Sequence, residues 1–403
     1  MTSPASSGRM SPLELRASLS LASLFALRML GLFLILPVFA VHARYLPGGD
    51  SQTLVGIALG AYGLTQGILQ IPYGMASDHY GRKRIIVIGL LLFALGSFVA
   101  AWGPNIGVVI LGRALQGAGA IAAPVTAFAA DITREEHRTK AMALIGGSIG
   151  LMFALSLVAA PALYPLIGMG GIFGMTGALA LAAIWVTLAV VPAEPPAGNE
   201  RRLRAGALKE VLRNREQLRL NLGIFCLHAV QMAVFVVVPT AMVRYGHLPV
   251  AEHWKVYLPV VLGSFAVMAP LLIHAERMRR MKFLFLGSIG LLLAVELGFA
   301  VCLDNFPFVV GLLLFFFVAF NILEASLPSL VSSVASAPSR GTALGVYNTT
   351  QALGLFAGGA AGGWLAERWG ESSVFVFGFA LVALWLLVAS SMRVPVGAAE
   401  GVS

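Results

Sequence analysis

The sequence predicts an all-α integral membrane protein of twelve transmembrane helices, arranged as two parallel six-helix repeats. Three observations carry this reading. Only 11% of the 403 residues are charged and the mean hydropathy is +0.87, whereas globular domains hold about 25% charged residues. Lys and Arg cluster in alternate loops. The two parts of the chain also repeat in register.

A soluble chain of this composition would expose large apolar patches and aggregate, so the bilayer is the solvent that fits. With about 20 apolar residues needed per crossing, twelve segments qualify, near 18–41, 53–77, 84–102, 106–130, 139–162, 170–191, 219–241, 255–274, 283–302, 306–331, 341–364 and 372–391. The net charge of +9 reads as an orientation signal, not as a nucleic-acid surface. With cytoplasmic termini, 21 of the 27 Lys and Arg lie in the tails and cytoplasmic loops; Arg44, Arg244, Lys255 and Arg368 lie opposite, and Arg28 and Arg113 within spans. Short loops rich in Lys and Arg stay inside, so both termini are expected in the cytoplasm of a bacterial-type inner membrane. Cys226 and Cys302 fall inside apolar spans and imply no disulfide framework. The first span is too long for a signal-peptide core, and no cleavage site follows it.

Residues 192–218 form the longest polar stretch, dividing a bundle at 1–191 from one at 219–403. Within it Leu203, Leu208, Val211, Leu212 and Leu218 interleave with Arg and Lys, as in an amphipathic helix lying on an anionic leaflet or a solvated linker with some helix. "RMLGLFLILPVFA" at 28–40 matches "VQMAVFVVVPTAM" at 230–242, and "RTKAMA" at 138–143 matches "RGTALG" at 340–345, both at a shift of 202; Pro124 and Pro328 match at 204. Parallel repeats with a site at their interface are a secondary-transporter plan.

The loop "GMASDHYGRKR" at 74–84 puts four charges and two glycines into one short connection. It resembles the signature loop of the major facilitator superfamily, Gly-x-x-x-Asp-x-x-Gly-Arg-Lys/Arg. "LGRALQGAGA" and "DITREEHRTKAMA" are similar to that superfamily's drug:proton antiporters. "AEHWKVYLPV", "FVAFNILEASLPSLV" and "RGTALGVYNTTQALG" resemble its YajR-like transporters. The resemblance implies a conformational latch in which Arg82 pairs with Asp131. Gly74 is expected to let the second helix approach the other half closely. Asp78 is expected to cap a helix start, and Gly81 to supply the positive φ of a tight turn. A soluble domain found after the last helix of some YajR-like chains is expected to be missing.

Ionisable residues inside spans cost roughly 2.5–3.5 kcal/mol each on insertion scales, so each should face a cavity or a partner. Arg28, Arg113, Gln116, Asn321 and Glu324 are the candidate proton and substrate residues. Arg113, Gln116 and Gly117 share one helix face, and the resemblance links Arg113 to proton coupling. Glu324 reads as a proton carrier or as a member of a structural ion pair. Arg28 is then its partner, or orients a substrate. Glu296 is expected to snorkel, and His228 to be a satisfied buried histidine or a proton relay. The fifth-span antiporter motif is degenerate: Ala160 precedes Pro161 and no glycine pair follows. The basic "AERMRRMK" loop lacks the glycine pattern, which makes the latch one-sided.

These features predict a proton-coupled exporter of small lipophilic or cationic compounds, monomeric, with the proton as coupling ion and no metal or other cofactor. A metabolite uniporter or importer of the same fold, or a membrane sensor that does not transport, are the alternatives. An enzyme is not expected: no metal-spaced cluster, nucleophile elbow or P-loop is present.

Overall fold

The computed structural model describes residues 10–194, 207–336 and 339–392. These form α1 (Pro12–Phe33), α2 (Leu36–His42), α3 (Gln52–Tyr80), α4 (Arg82–Ala101), α5 (Ile106–Ala118), α6 (Ala122–Ile132), α7 (Glu135–Ala189), α8 (Ala207–Arg213), α9 (Arg215–Arg244), α10 (Trp254–Arg277), α11 (Met281–Cys302), α12 (Phe306–Val334), α13 (Arg340–Trp369) and α14 (Glu371–Ser390). Among the described residues, ten stretches have both the length and the hydropathy to cross a membrane. The helix α7 turns at Gly168, whose φ of 65° suits a residue without a Cβ, and so accounts for two of the expected spans. The 30-residue α13 is long enough but richer in Gly, Thr and Asn. The first span breaks into α1 and α2 just before Pro37, whose ring clashes with the carbonyl four residues back. The fourth divides into α5 and α6 at Gly119, which sits against the Gly89 carbonyl of α4.

The face bearing Gly81 and Asn214 is called here the linker face; the one bearing Ser51, Asn105, Asn305 and Gly370 is the far face. Helices α1–α7 form an N-terminal set and α9–α14 a C-terminal set. Local chemistry repeats between them. Arg138 Nε donates to the Ala130 carbonyl at 3.2 Å and Arg340 Nε to the Ser332 carbonyl at 3.1 Å, the same bond displaced by 202 positions at both ends. Asn105 and Asn305 each cap a far-face helix start, accepting from the N–H three residues on.

The sets meet along a seam of α3 on α13. A Cβ at Gly56 would strike the Gly359 carbonyl, one at Gly63 the Ala352 carbonyl, and one at Gly363 the Gln52 carbonyl. Lipid tails are as apolar as the side chains they replace, so helices in a bilayer associate through close packing of this kind. Nearer the membrane centre, Phe153 of α7 lies 6.2 Å from Phe235, 6.0 Å from Phe317 and 5.9 Å from Phe320 (ring centroids), an aromatic plug between the sets. Towards the linker face Gly146, Gly147 and Gly150 of α7 and Gly341 and Gly345 of α13 would meet no atom within 4 Å if given a Cβ. The molecule is closed on the far face.

The linker helix α8 docks on the C-terminal set. Val211 is buried while Leu208 and Leu212 are exposed, and Glu210 accepts from Ser336 at 2.8 Å and Ser339 at 3.3 Å. Thus Val211 belongs to the protein-facing side of this helix, and Leu208 and Leu212 to its exposed side. Leu203 lies outside the described residues.

Candidate functional site

The turn between α3 and α4 is built on Gly81, whose φ of 99° meets the expectation for a tight reversal. Immediately after it Arg82, 4% exposed, gathers three partners: Asp78 at 2.5 Å, Asp131 of α6 at 3.0 Å and the Ser77 hydroxyl at 2.6 Å. The pairing of Arg82 with Asp131 is therefore present. Two other expectations for this loop are corrected. Asp78 does not cap a helix; it pairs with Arg82 one turn on. The cap of α4 is Glu194, at the end of the sixth span, which accepts from the Arg82 N–H at 2.9 Å and the Lys83 N–H at 2.6 Å. Those first N–H groups have no partner within the helix and favour an anion. Gly74 does not touch the C-terminal set in this conformation; an added Cβ would meet only Ala123 of α6, at 3.5 Å. Close approach to the other set falls instead to Gly56, Gly60 and Gly63, further along the same helix.

Inside the N-terminal set, Arg113 of α5 is 1% exposed and donates to the Ala58 and Leu59 carbonyls of α3, each at 3.3 Å, and to Gln116 at 2.8 Å. The Gln116 amide donates to Ser97 of α4 at 2.8 Å. Gly117 lies where a Cβ would strike the Tyr62 carbonyl, so α5 presses on α3 at the same level. Arg113 and Gln116 thus tie three helices of one set together and do not line a space between the sets, as the sequence had led one to expect.

Arg28 stands next to them, 1% exposed, with one donor on Gln66 at 3.2 Å and its Nε and Nη1 unpartnered. Its guanidinium lies 5.5 Å from the Tyr62 ring centre and 6.0 Å from that of Phe93. Cation–π contact returns about 0.5–2 kcal/mol, less than the roughly 2.5–3.5 kcal/mol insertion cost. The expected ion pair with Glu324 is absent, and the unused donors leave the guanidinium able to receive another acceptor. Gln70, buried one turn beyond Gln66, has neither amide atom partnered.

Glu324 of α12 sits in the C-terminal set. Gln351 of α13 donates to its Oε1 at 3.4 Å, His228 of α9 lies 3.8 Å from its Oε2, and Gln351 and His228 touch at 2.7 Å. Its side chain remains 33% exposed. His228 also contacts the Ile224 carbonyl at 3.2 Å and lies 5.7 Å (ring centroids) from Phe320 of the aromatic plug. Asn321 does not join this group; its amide donates to Ser264 of α10 at 3.0 Å. Glu296 does not snorkel. It is fully buried with both carboxyl oxygens unpartnered, packed against Gly378 of α14, whose missing side chain leaves it room.

Comparison with known proteins fixes what such an assembly is. The description of the Major Facilitator Superfamily matches residues 21–359. The chain belongs to that superfamily. It is 45% identical over 390 residues to the inner membrane transport protein YajR of Escherichia coli K12, covering 96% of this chain and 85% of that one. The multidrug resistance protein MdtH of Aeromonas hydrophila is 26% identical over 84% of each chain. Among solved structures, a bacterial homologue of the lysosomal transporter Spinster superposes with a TM-score of 0.74 at 14% identity, over 97% of this chain and all of that one. The chain is a multi-pass inner-membrane transporter of the superfamily, and not an enzyme. Members of this superfamily bind small molecules within the membrane, which is where Arg28 and Glu324 lie.

Sequence reasoning missed Glu194, Gln66, Gln351 and the seam glycines. The last were legible as small residues three or four apart in both α3 and α13, "GIALGAYG" and "GLFAGGAAGG". Gln351 and Gln66 carried no such pattern.

Proposed function

We propose that the protein exports small lipophilic or cationic compounds in exchange for protons, by rocking the N-terminal and C-terminal bundles about the seam. The linker face is then cytoplasmic, with both termini on that side. The observation that carries this reading is Glu324: a carboxylate at membrane depth, a third exposed, with one oxygen unpartnered and no Lys or Arg beside it among the described residues. Such a group can take a proton from one side and lose it to the other as access alternates, and a cationic ligand can compete for the ionised form. The aromatic plug of Phe153, Phe235, Phe317 and Phe320, joined to the Glu324 group through the His228–Phe320 contact, suits apolar ligands. The multidrug-resistance name of the Aeromonas relative is consistent with such a substrate class.

Glu324→Gln fixes the neutral form. In proteoliposomes it should abolish substrate accumulation driven by a pH gradient while leaving ligand binding measurable. Accumulation with wild-type pH dependence would make Glu324 structural. Cysteines introduced at Asp50 and Lys209, both exposed, should react from opposite sides with an impermeant reagent.

A further inference from the structure

We infer that Glu367 is the clasp that holds the far face shut. It stands in the last turn of α13, and its Oε2 accepts two bonds from the N-terminal set: from the Ser51 hydroxyl at 2.8 Å and from the Thr53 N–H at 2.8 Å. Ser51 is already the cap of α3, accepting from the Leu54 N–H at 3.3 Å. The start of α3, with its unpartnered N–H groups and partial positive charge, is therefore completed by an anion from the opposite set, 316 residues along the chain.

What makes this a clasp and not a fold-stabilising bond is that both partners lie across the moving boundary. The contact exists only while the seam of Gly56, Gly60 and Gly63 on α13 is closed beneath it. A group that bonds one state alone shifts the equilibrium towards that state by the whole of its bond. When the face opens, the Glu367 carboxylate and the Thr53 N–H return to water, so the bond is easily remade and release is reversible. Glu371, four residues on, provides the contrast. Its nearest cation is Arg244 of its own set, at 3.9 Å, and that pair is carried unchanged through any movement between sets.

The inference is independent of proton coupling and is tested without substrate or gradient. Nitroxide labels on Tyr45→Cys and Asp304→Cys, both exposed on the far face, would be placed in a Cys226→Ala, Cys302→Ser background in nanodiscs, and their distance distribution recorded by pulsed electron resonance. The parent should show mainly the short, closed distance. Glu367→Gln should raise the open-to-closed ratio roughly fivefold, the size of one exposed charged hydrogen bond, and Glu367→Asp should move it the same way. Adding Ser51→Ala to Glu367→Gln should add little, since both remove one interaction. Glu371→Gln should match the parent. A Glu367→Gln distribution identical to that of the parent or of Glu371→Gln overturns the proposal, as does a parent that is already open.

Discussion

The α3–α4 turn and the α10–α11 turn occupy equivalent places in the two repeats, yet they are built differently. The first closes on Gly81 and is cross-braced: Arg82 binds Asp78, Ser77 and Asp131, and Glu194 caps the following helix. The second, from His274 to Met281, is as basic but has no glycine; Arg279 takes the positive φ instead, at 53°. A residue with a Cβ is strained there by roughly 1–2 kcal/mol. Its loop is joined to the rest of its set through Lys282, which donates to the Met392 carbonyl at 2.9 Å. Duplication supplied two equivalent turns, and charge recognition is built into one. The Arg82 partners named here, Asp78, Ser77 and Asp131, belong with it to the N-terminal set, so in this conformation these bonds stiffen that set.

The largest effect that breaks this contrast is expected from Arg82→Ala. It removes the guanidinium from two carboxylates that are each only about a quarter exposed. A loss of about 2–3 kcal/mol should appear as a clear drop in the thermal midpoint of the detergent-solubilised protein, with transport lost. Asp131→Asn should resemble it more weakly, and the double variant should be no worse than Arg82→Ala alone. Next in size, Glu194→Gln weakens the cap of α4 by about 0.5–1 kcal/mol; the same thermal assay reads it, and Asp78→Asn should not reproduce its effect on exchange of the Arg82 and Lys83 amides. Smallest, and opposite in sign, Arg279→Gly relieves the strained turn, stabilising by about 0.5–1 kcal/mol. If Arg279→Gly destabilises instead, the basic turn makes contacts that matter, and the two loops are more alike than their backbones indicate.

These pairings also mark where sequence reading succeeds. The crossings and the repeat at 202 were legible because each rests on a pattern in the chain itself, whereas the Arg82–Asp131 pair came from the resemblance of the 74–84 loop to the superfamily's signature. The break near Gly168 was legible too, as the gap between the spans at 139–162 and 170–191. The assignment of the α4 cap was not: it depends on what the segment after α7 meets once the chain has turned back, and Glu194 lies 112 residues from the N–H it satisfies. For the same reason Arg28 could not be separated from Glu324 in advance. Two opposite charges in apolar spans invite pairing on energetic grounds, but α1 and α12 present them to different neighbours, Gln66 on one side and His228 with Gln351 on the other.

The seam of α3 on α13 has a consequence for electrical insulation. A carrier driven by an ion gradient loses its driving force if the closed face lets even a thread of water through, because protons hop along hydrogen-bonded water far faster than any carrier turns over. Side chains interdigitated at a moving boundary would leave transient gaps with each rotamer change. Where Gly56 meets Gly359 and Gly363 meets the Gln52 carbonyl, backbone rests on backbone, and there is nothing to rotate. A single added methyl at Gly56 or Gly359 would hold the helices apart along their length and turn a tight carrier into a leaky one.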